Sequence, residues 1–372
     1  MIAEKSIAKE NRAYGSQRRV DWLLVLASAL LIFAGMLALY SLGVDPKKAI
    51  FLRKQIFNCA IGAVAMAVAA SIDPHIWQRL WRPLYWINMG LLLVVFFVGH
   101  KAKGATRWID LGPLQFQPSE LSKIICAITL AAFFAENRDA IKDKKTFLRS
   151  MLHIAPPLVL VLLQPHLGGT VSIILIWLTI SVYAGVPWKF PVTTFVAVLA
   201  ILVAMFFSPH LPDNMKYMKD RIVAMISGDS KSDKYQQHQA GIAIGSGGLL
   251  GKGYLKGDVK KGGFVPEQQN DFILTVVGEE GGLVGMTFLF AAYVFFFYRV
   301  WLAGFQAPSY FGKLVAGGLF AVLSFHTVVN IGMNIGLTPV VGLWLPFMSS
   351  GGTALIMCMM TTGLILAVRR FE

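Results

Sequence analysis

Runs of about 20 apolar residues recur along the whole chain, and they constrain its fold more than any other feature. A helix needs about 20 predominantly apolar residues to cross the hydrocarbon core of a bilayer. A soluble protein of this composition would lack polar surface, because 56% of its 372 residues are hydrophobic and only 15% are charged. We therefore predict an all-α polytopic membrane protein of about ten transmembrane helices. The runs cover residues 22–43, 50–72, 83–99, 119–135, 152–165, 168–185, 190–208, 272–298, 313–335 and 340–368.

The run 152–165 is the weakest of the ten, because it is short and contains three prolines. It is followed almost at once by the run 168–185, so the two are interpreted as a tight hairpin of spans. The three cysteines (Cys59, Cys126 and Cys358) lie far apart within apolar runs. Their spacing fits neither a disulfide framework nor a metal site.

Lysine and arginine are concentrated in alternate connections, which predicts the orientation. With the N-terminus in the cytoplasm, the cytoplasmic ends and loops carry 17 of these residues and the short outer loops carry seven. Both termini are then cytoplasmic, which ten spans allow. The chain is predicted to be a single transmembrane domain over residues 1–372, with a cytoplasmic tail over 1–20. A large extracytoplasmic loop over 208–271 joins spans 7 and 8.

The large loop contains a glycine-rich stretch, A-I-G-S-G-G-L-L-G-K-G over residues 243–253. It resembles a nucleotide cradle but fails both templates. A Walker A motif needs glycine where Ser246 stands and serine or threonine where Gly253 stands, and the dinucleotide fingerprint needs glycine at Leu250. The stretch is therefore not interpreted as a nucleotide site.

Ionisable residues at span edges are costly unless they are paired, so each is a functional hypothesis. Glu120 and Lys123 begin the fourth span, and Asp271 begins the span after the large loop. An even number of crossings separates these two starts, so all three residues are expected at the outer leaflet, within reach of Arg107. A carboxylate and two cations at one outer interface suggest an anionic, lipid-linked substrate and a carboxylate base.

Purely structural roles are alternatives for the same residues. Glu120 and Lys123 have i,i+3 spacing and can neutralise each other on one helix. Asp271 can cap the helix that follows it. Glu279 and Glu280, two turns deeper, fit helix-to-helix hydrogen bonding better than chemistry.

Four sequence blocks resemble those of the SEDS family (shape, elongation, division and sporulation), whose members include RodA and FtsW. They occur in the family's order over nearly the whole chain, and the short termini resemble the elongation branch more than the division branch. The blocks are G-A-T-R-W-I-D-L-G-P-L-Q-F-Q-P-S-E-L-S-K (104–123), G-K-G-Y-L-K-G (251–257), V-P-E-Q-Q-N-D-F-I (265–273) and N-I-G-M-N-I-G-L-T-P-V-V-G-L-W-L-P-F-M-S-S-G-G-T (330–353).

The resemblance implies a peptidoglycan glycosyltransferase in the bacterial inner membrane, working at its outer, periplasmic face in cell elongation and rod shape. Its substrate would be lipid II, a disaccharide-pentapeptide on undecaprenyl pyrophosphate. Its partners would be a class B penicillin-binding protein and other elongation-machinery proteins, not nucleic acid. No cofactor is implied with certainty, and the use of a divalent cation such as Mg²⁺ or Mn²⁺ is left open.

The resemblance also carries roles onto particular residues. Asp271 matches the family's essential aspartate and is the expected general base. Arg107, Glu120 and Lys123 match conserved polar positions and are expected to shape the electrostatics around the pyrophosphate. The expected supporting residues are His166, Glu267, Glu279 and Glu280.

The chain departs from the family at a few positions. His166 stands where the family has an acidic residue, at a turn between spans, which puts cation binding or catalysis at that turn in question. Ser350 replaces a usual tyrosine and Trp344 a common proline, which we interpret as packing changes.

Two other functions fit the same composition. A flippase that moves lipid II across the bilayer would also have about ten spans, buried glutamates and proline-interrupted segments. Its critical charges should lie near the midplane, whereas the predicted cluster lies at the outer face. A non-catalytic scaffold for the penicillin-binding protein is the second alternative, and the convergence of charged residues argues against it.

Overall fold

The structure, a computed structural model, describes residues 20–44, 49–102, 105–112, 114–164, 166–194, 196–197, 200 and 231–371. Within these ranges nine helices are long and apolar enough to cross a membrane. The prediction of an all-α polytopic membrane fold is therefore confirmed. The nine are α1 (Trp22–Leu42), α2 (Ala49–Ser71), α4 (Trp81–Val98), α5 (Pro118–Glu136), α6 (Lys144–Leu163), α7 (Leu167–Ala184), α10 (Leu274–Gln306), α11 (Tyr310–Asn334) and α12 (Gly352–Phe371).

The remaining elements are short and lie in the connections. Helix α3 (Pro74–Arg79) joins α2 to α4, and α8 (Lys231–Ser246) and α9 (Asp258–Gly262) belong to the large loop. Strands β1 (His100–Ala102), β2 (Ala105–Leu111) and β3 (Leu114–Phe116) form an antiparallel sheet in the order β1-β2-β3. This sheet was not predicted from the apolar runs.

Three of the predicted span boundaries were wrong. The run 272–298 stops eight residues short of the end of α10, which continues to Gln306. The run 152–165 is the second half of a 20-residue helix that starts at Lys144, whose first two turns are polar and were missed by a search for apolar residues. The run 340–368 is helical only from Gly352, because residues 340–351 form an irregular connection despite their apolar composition. Of the predicted span 190–208, the described residues 190–194, 196–197 and 200 are helical, and the rest lies outside the described residues. The predicted tail over 1–20 also lies outside them, except for Val20.

Successive spans run in opposite directions, so the connections gather at two ends of the bundle. We call the end that carries the described residues 99–102, 105–112, 114–117, 164, 166, 231–273 and 335–351 the loop end, and the opposite end the terminal end. Two spans form the centre of the bundle: 83% of the most apolar window is buried in both α5 and α12, against 17% in α4. Side chains on α5 are therefore enclosed by protein and not by lipid.

The terminal end is held by an ion-pair cluster around Asp21. The Asp21 carboxylate accepts a hydrogen bond from Leu24 N at 3.2 Å, which caps the start of α1. Arg299 Nη2 lies 2.7 Å from both carboxylate oxygens, and Arg369 pairs with the same group. The cluster joins the beginning of α1 to α10 and to the last turn of α12.

The glycine-rich stretch of the large loop packs against a break in α10. Gly282 has φ 60° and ψ −159°, which splits this helix into a short first segment and a long second one. The loop supplies hydrogen bonds on both sides of the break. Lys252 N and Gly253 N donate to Glu279 O (3.0 Å) and Glu280 O (3.1 Å), while Leu283 N donates to Gly248 O (2.9 Å). The glycines thus allow two backbones to meet, and nucleotide binding is not needed to explain them.

Replacing Gly247 with alanine is expected to destabilise this contact strongly. A Cβ at Gly247 would lie 2.0 Å from Gly278 O, a distance that forces the two backbones apart. Gly245→Ala is the matched control, because a Cβ there meets nothing within 4 Å. We expect thermal unfolding in detergent to show a large loss for Gly247→Ala and none for Gly245→Ala. Equal melting temperatures for the two variants would contradict the close approach.

Candidate active site

Asp271 lies at the end of a tight turn that precedes α10. Within this turn Asn270 N donates to Glu267 O (2.9 Å), and Asn270 Nδ2 donates to Glu267 Oε2 (2.7 Å). Glu267 has φ 52°, a left-handed conformation that non-glycine residues seldom adopt. The helix itself begins at Leu274, with no side-chain hydrogen bond at its cap. The alternative that Asp271 caps this helix is therefore wrong.

The backbone around Asp271 is fixed from both sides. Asn330 Nδ2 and Asn334 Nδ2 donate to Asp271 O at 2.9 and 3.0 Å. On the preceding residue, Ser349 Oγ donates to Asn270 O at 2.6 Å. The half-buried carboxylate faces Gly342, where an added Cβ would lie 3.6 Å from Asp271 Oδ2. These contacts fix the backbone of the residue that carries the carboxylate, as a positioned catalytic group requires.

Glu120 and Lys123 form an enclosed ion pair on α5. Their Nζ–Oε2 distance is 2.7 Å, and their side chains are 3% (Lys123) and 2% (Glu120) exposed. The i,i+3 pairing anticipated from the sequence is therefore confirmed. Lys123 Nζ also lies 3.0 Å from His326 Nε2, and 5.3 Å from the centre of the Trp344 ring. Paired charges with further hydrogen-bonding partners are the form in which buried ions are stable.

The connection between α6 and α7 carries His166 and contacts Arg107. Arg107, on β2, donates through Nε to Gln164 O at 2.9 Å, immediately before the turn that contains His166. The imidazole is buried, and its Nδ1 lies 3.1 Å from Ser119 Oγ and 3.4 Å from Gln117 Nε2. His166 thus occupies a hydrogen-bonding position between the sheet, α5 and α7.

Residues 342–344 connect Lys123 and His326 to the Asp271 turn. Trp344 packs on His326 with ring centres 4.2 Å apart, and Leu343 O accepts a hydrogen bond from Asn330 Nδ2 at 2.7 Å. The path from Asp271 to Lys123 therefore passes through residues 342–344 and one face of α11. Among the described residues there is no group of three or more His, Cys, Asp or Glu that could hold a metal ion.

Glu279 and Glu280 connect the first segment of α10 to the large loop. Glu279 Oε1 lies 3.2 Å from Lys252 Nζ and accepts from Val259 N at 2.8 Å. Partial desolvation opposes protonation of Lys252, but hydrogen bonds to Asp258 and Glu279 outweigh it and raise the pKa. Glu280 pairs with the buried Lys260 and accepts from Ser41 Oγ at 2.5 Å. Both glutamates therefore fix the loop to the helix that follows the Asp271 turn.

Three residues on α11 are part of this arrangement but were missed in the sequence. His326, Asn330 and Asn334 are spaced by four, which places them on one face of the helix. All three are buried and they contact Lys123 or Asp271 O. Polar residues at this spacing within an apolar span were the signal that could have identified them.

Comparison with protein families and relatives gives one consistent result. Residues 19–372 match the model of the FtsW, RodA and SpoVE family, which is described as a cell cycle protein family. The peptidoglycan glycosyltransferase MrdB of Escherichia coli strain K12 is 37% identical over 355 residues, covering 93% of this chain and 92% of its own. The probable peptidoglycan glycosyltransferase FtsW of Geobacter sulfurreducens strain DL-1 / KN400 is 32% identical over 361 residues, covering 94% and 95%.

Solved structures match over similar lengths. A chain from a peptidoglycan synthase complex that coordinates polymerization and crosslinking superposes with a TM-score of 0.79 at 28% identity, covering 94% of this chain and 98% of that one. The rod shape determining protein RodA of Thermus thermophilus superposes with a TM-score of 0.70 at 27% identity, covering 95% and 98%. The similarity thus extends over sequence and fold together.

Proposed function

The chain belongs to the FtsW, RodA and SpoVE family of cell cycle proteins, and from this we propose that it is a peptidoglycan glycosyltransferase of the inner membrane that polymerises lipid II. Its relative MrdB is named a peptidoglycan glycosyltransferase, and its relative FtsW a probable one. The observation that supports the proposal best is the half-buried carboxylate of Asp271, a residue whose backbone oxygen accepts from Asn330 and Asn334. Ser349 holds the backbone oxygen of the preceding Asn270. Class B penicillin-binding protein is the proposed partner, since a matched structure is of a complex that couples polymerization to crosslinking.

The proposed reaction is a single displacement with inversion at the anomeric carbon. A sugar hydroxyl of one lipid-linked chain attacks the anomeric carbon of another, and the bond from that carbon to the pyrophosphate oxygen breaks. Asp271 takes the hydroxyl proton, and the lipid pyrophosphate leaves with the electron pair. Positioned proton transfer of this kind contributes about 10²–10⁴ in rate. The loop end would face the outside of the cell, where the lipid-linked sugars are used.

The cationic residues have different parts in this proposal. Arg107 is half-buried on the sheet at the loop end, where its guanidinium can contact pyrophosphate oxygens. Lys123 is enclosed and committed to Glu120, so it acts on the leaving group through its field and not by contact. His166, Glu267, Glu279 and Glu280 support the site by holding the turn and the loop around it. The buried imidazole of His166 serves as a hydrogen-bonding residue.

Replacing Arg107 with glutamine is expected to lower kcat by about 10²-fold, comparable to the loss of one charge-stabilising donor at a reacting centre. Arg107→Lys should lose less, because the charge remains while bidentate contact is lost. The measurement is the rate of glycan-strand formation from lipid II by the protein with its partner. Arg82→Gln, which removes an exposed arginine at the terminal end, is the control and should keep full rate. Equal rates for Arg107→Gln and Arg82→Gln would show that Arg107 does not contribute to the reaction.

The function itself is tested by reconstituting the purified protein and its penicillin-binding partner in vesicles with labelled lipid II. We expect glycan strands to form when both proteins are present, and not to form with the partner alone. Equilibration of labelled lipid II across the bilayer without strand formation would instead establish the flippase. If the partner forms strands alone, and this protein does not change the rate, this protein is a non-catalytic scaffold.

A further inference from the structure

Residues 247–253 form a turn whose backbone is bonded to α10 and whose two leucines point away from it. Gly251 has φ 79°, and an added Cβ would lie 2.0 Å from Glu280 O, so no larger residue fits between the turn and the helix. Leu249 O accepts from Val284 N at 3.1 Å. Leu249 and Leu250 are nevertheless 69% and 81% exposed. The glycines therefore hold the turn against the helix while the leucines face outward.

The surface beside these leucines is apolar as well. Leu283 and Phe288, on the second segment of α10, are 59% and 74% exposed. This segment belongs to a helix that is long and apolar enough to cross a membrane. The leucines of the turn thus continue the lipid-facing side of a span.

The depth of the turn follows from two helices, α1 and α10, that meet at the Asp21 cluster. Asp21 directly precedes the first residue of α1, and Arg299 pairs with it, so both lie at the level where that span begins. Gly282 is 17 residues from Arg299, about 26 Å along a helix. The hydrocarbon core is about 30 Å thick. The turn that bonds to residues 283 and 284 therefore lies within that thickness.

Helix α1 gives a similar depth when the same reference level is used. Tyr254, one residue past the turn, donates through its hydroxyl to Leu37 O at 3.2 Å. Leu37 is 16 residues from Asp21, about 24 Å along the helix. Tyrosine is enriched at the boundary between hydrocarbon and headgroups. Lys256, two residues further on, is exposed, as expected for a side chain at the headgroup level.

We propose that residues 247–253 insert Leu249 and Leu250 into the hydrocarbon of the lipid leaflet at the loop end, so that the large loop is anchored in the bilayer as well as to α10. The glycine-rich stretch then has two functions: it permits the backbone contact with α10, and it presents an apolar pair to lipid. The anchoring depends on lipid and not on catalysis. It is therefore independent of the reaction proposed above.

The test is a collision measurement on a spin label in vesicles of phosphatidylethanolamine and phosphatidylglycerol. The label is placed at Leu250→Cys in the full chain carrying Cys59→Ser, Cys126→Ala and Cys358→Ala. Phe288→Cys is the lipid-facing reference and Lys256→Cys the water-facing one. We expect the ratio of oxygen to nickel-complex collisions at position 250 to match position 288. It should exceed position 256 by roughly fivefold or more, because polar solutes are excluded from hydrocarbon.

Two results would overturn the proposal. A collision ratio at position 250 equal to that at position 256 would place the leucine in water. Low collision rates with both reagents would mean that protein covers it, such as a partner's transmembrane helix.

A second measurement leaves the native cysteines in place. In the variant Leu249→Ser, Leu250→Ser, the amides of Lys252 and Gly253 should exchange hydrogen several-fold faster in the same vesicles, because the turn loses its anchor. The amide of Leu323, in the buried middle of α11, is the internal control. Unchanged exchange at Lys252 and Gly253 would also contradict the proposal.

Discussion

Asp271→Asn is expected to lower the rate of glycan-strand formation by about 10²–10⁴-fold, the usual contribution of a positioned general base. The amide has nearly the shape of the carboxylate but cannot take the hydroxyl proton. The fold should survive, because the bonds from Asn330 and Asn334 go to the backbone oxygen of residue 271, which the change leaves in place. The measurement is strand formation from lipid II with the partner present, together with the melting temperature of each protein.

The matched control is Asp110→Asn, the same change at an exposed carboxylate on β2 at the same end of the bundle. It should leave the rate unchanged. If Asp271→Asn keeps its fold and its partner and works within tenfold of the unchanged protein, another group accepts the proton. If it melts at a much lower temperature, the role of Asp271 is structural.

Glu280→Gln is expected to cause the largest loss of stability among single side-chain changes at the loop end. The change leaves the ammonium of Lys260 buried without a countercharge, and breaking a buried ion pair from one side costs about 3–5 kcal/mol. Glu280 and Lys260 side chains are only 7% and 4% exposed, so water cannot replace the lost partner. The measurement is thermal unfolding in detergent, with protease cleavage within residues 231–271 as a local readout.

The double variant Glu280→Gln, Lys260→Met separates pairing from packing. Because both charges are then gone, it should recover part of the stability that Glu280→Gln loses. The exposed pair of Arg82 and Glu136, with atoms 3.2 Å apart, is the control, and Arg82→Met should cost about 0–1 kcal/mol. A loss in Glu280→Gln no greater than in Arg82→Met would mean that the loop is held by its backbone contacts alone.

The spans were predictable because crossing a bilayer requires long apolar runs, and composition alone identifies them. Boundaries were less predictable. Lys144 starts a span with a polar turn, and residues 340–351 are apolar without being helical. Hydropathy does not distinguish a helix from an apolar connection that is packed inside the protein.

The sequence was sufficient to name most residues of the site, but not the contacts between them. The i,i+3 spacing of Glu120 and Lys123 was sufficient to anticipate their pairing, because it is a local property of a helix. The contact of Lys123 with His326 joins residues 203 positions apart, and Ser41 and Glu280 are 239 apart. Such contacts depend on how helices pack, which a single sequence without relatives does not reveal. The glycine-rich turn was recognised as unusual because its glycines are a local feature of the sequence. Its contact with α10 depends on packing and was therefore not predicted.

The break at Gly282 has a mechanical consequence for the chain. Spans tilt to match bilayers of different thickness, and a continuous helix would carry such a tilt directly to Asp271. Here the first segment of α10 is bonded to the large loop through Lys252 and Gly253, while the second segment starts beyond the break. The same loop also accepts hydrogen bonds from Leu283 N (2.9 Å) and Val284 N (3.1 Å) beyond the break, so it braces the two segments across Gly282. We therefore expect a tilt of the second segment to be shared with the loop and not to bend the chain at Gly282 alone.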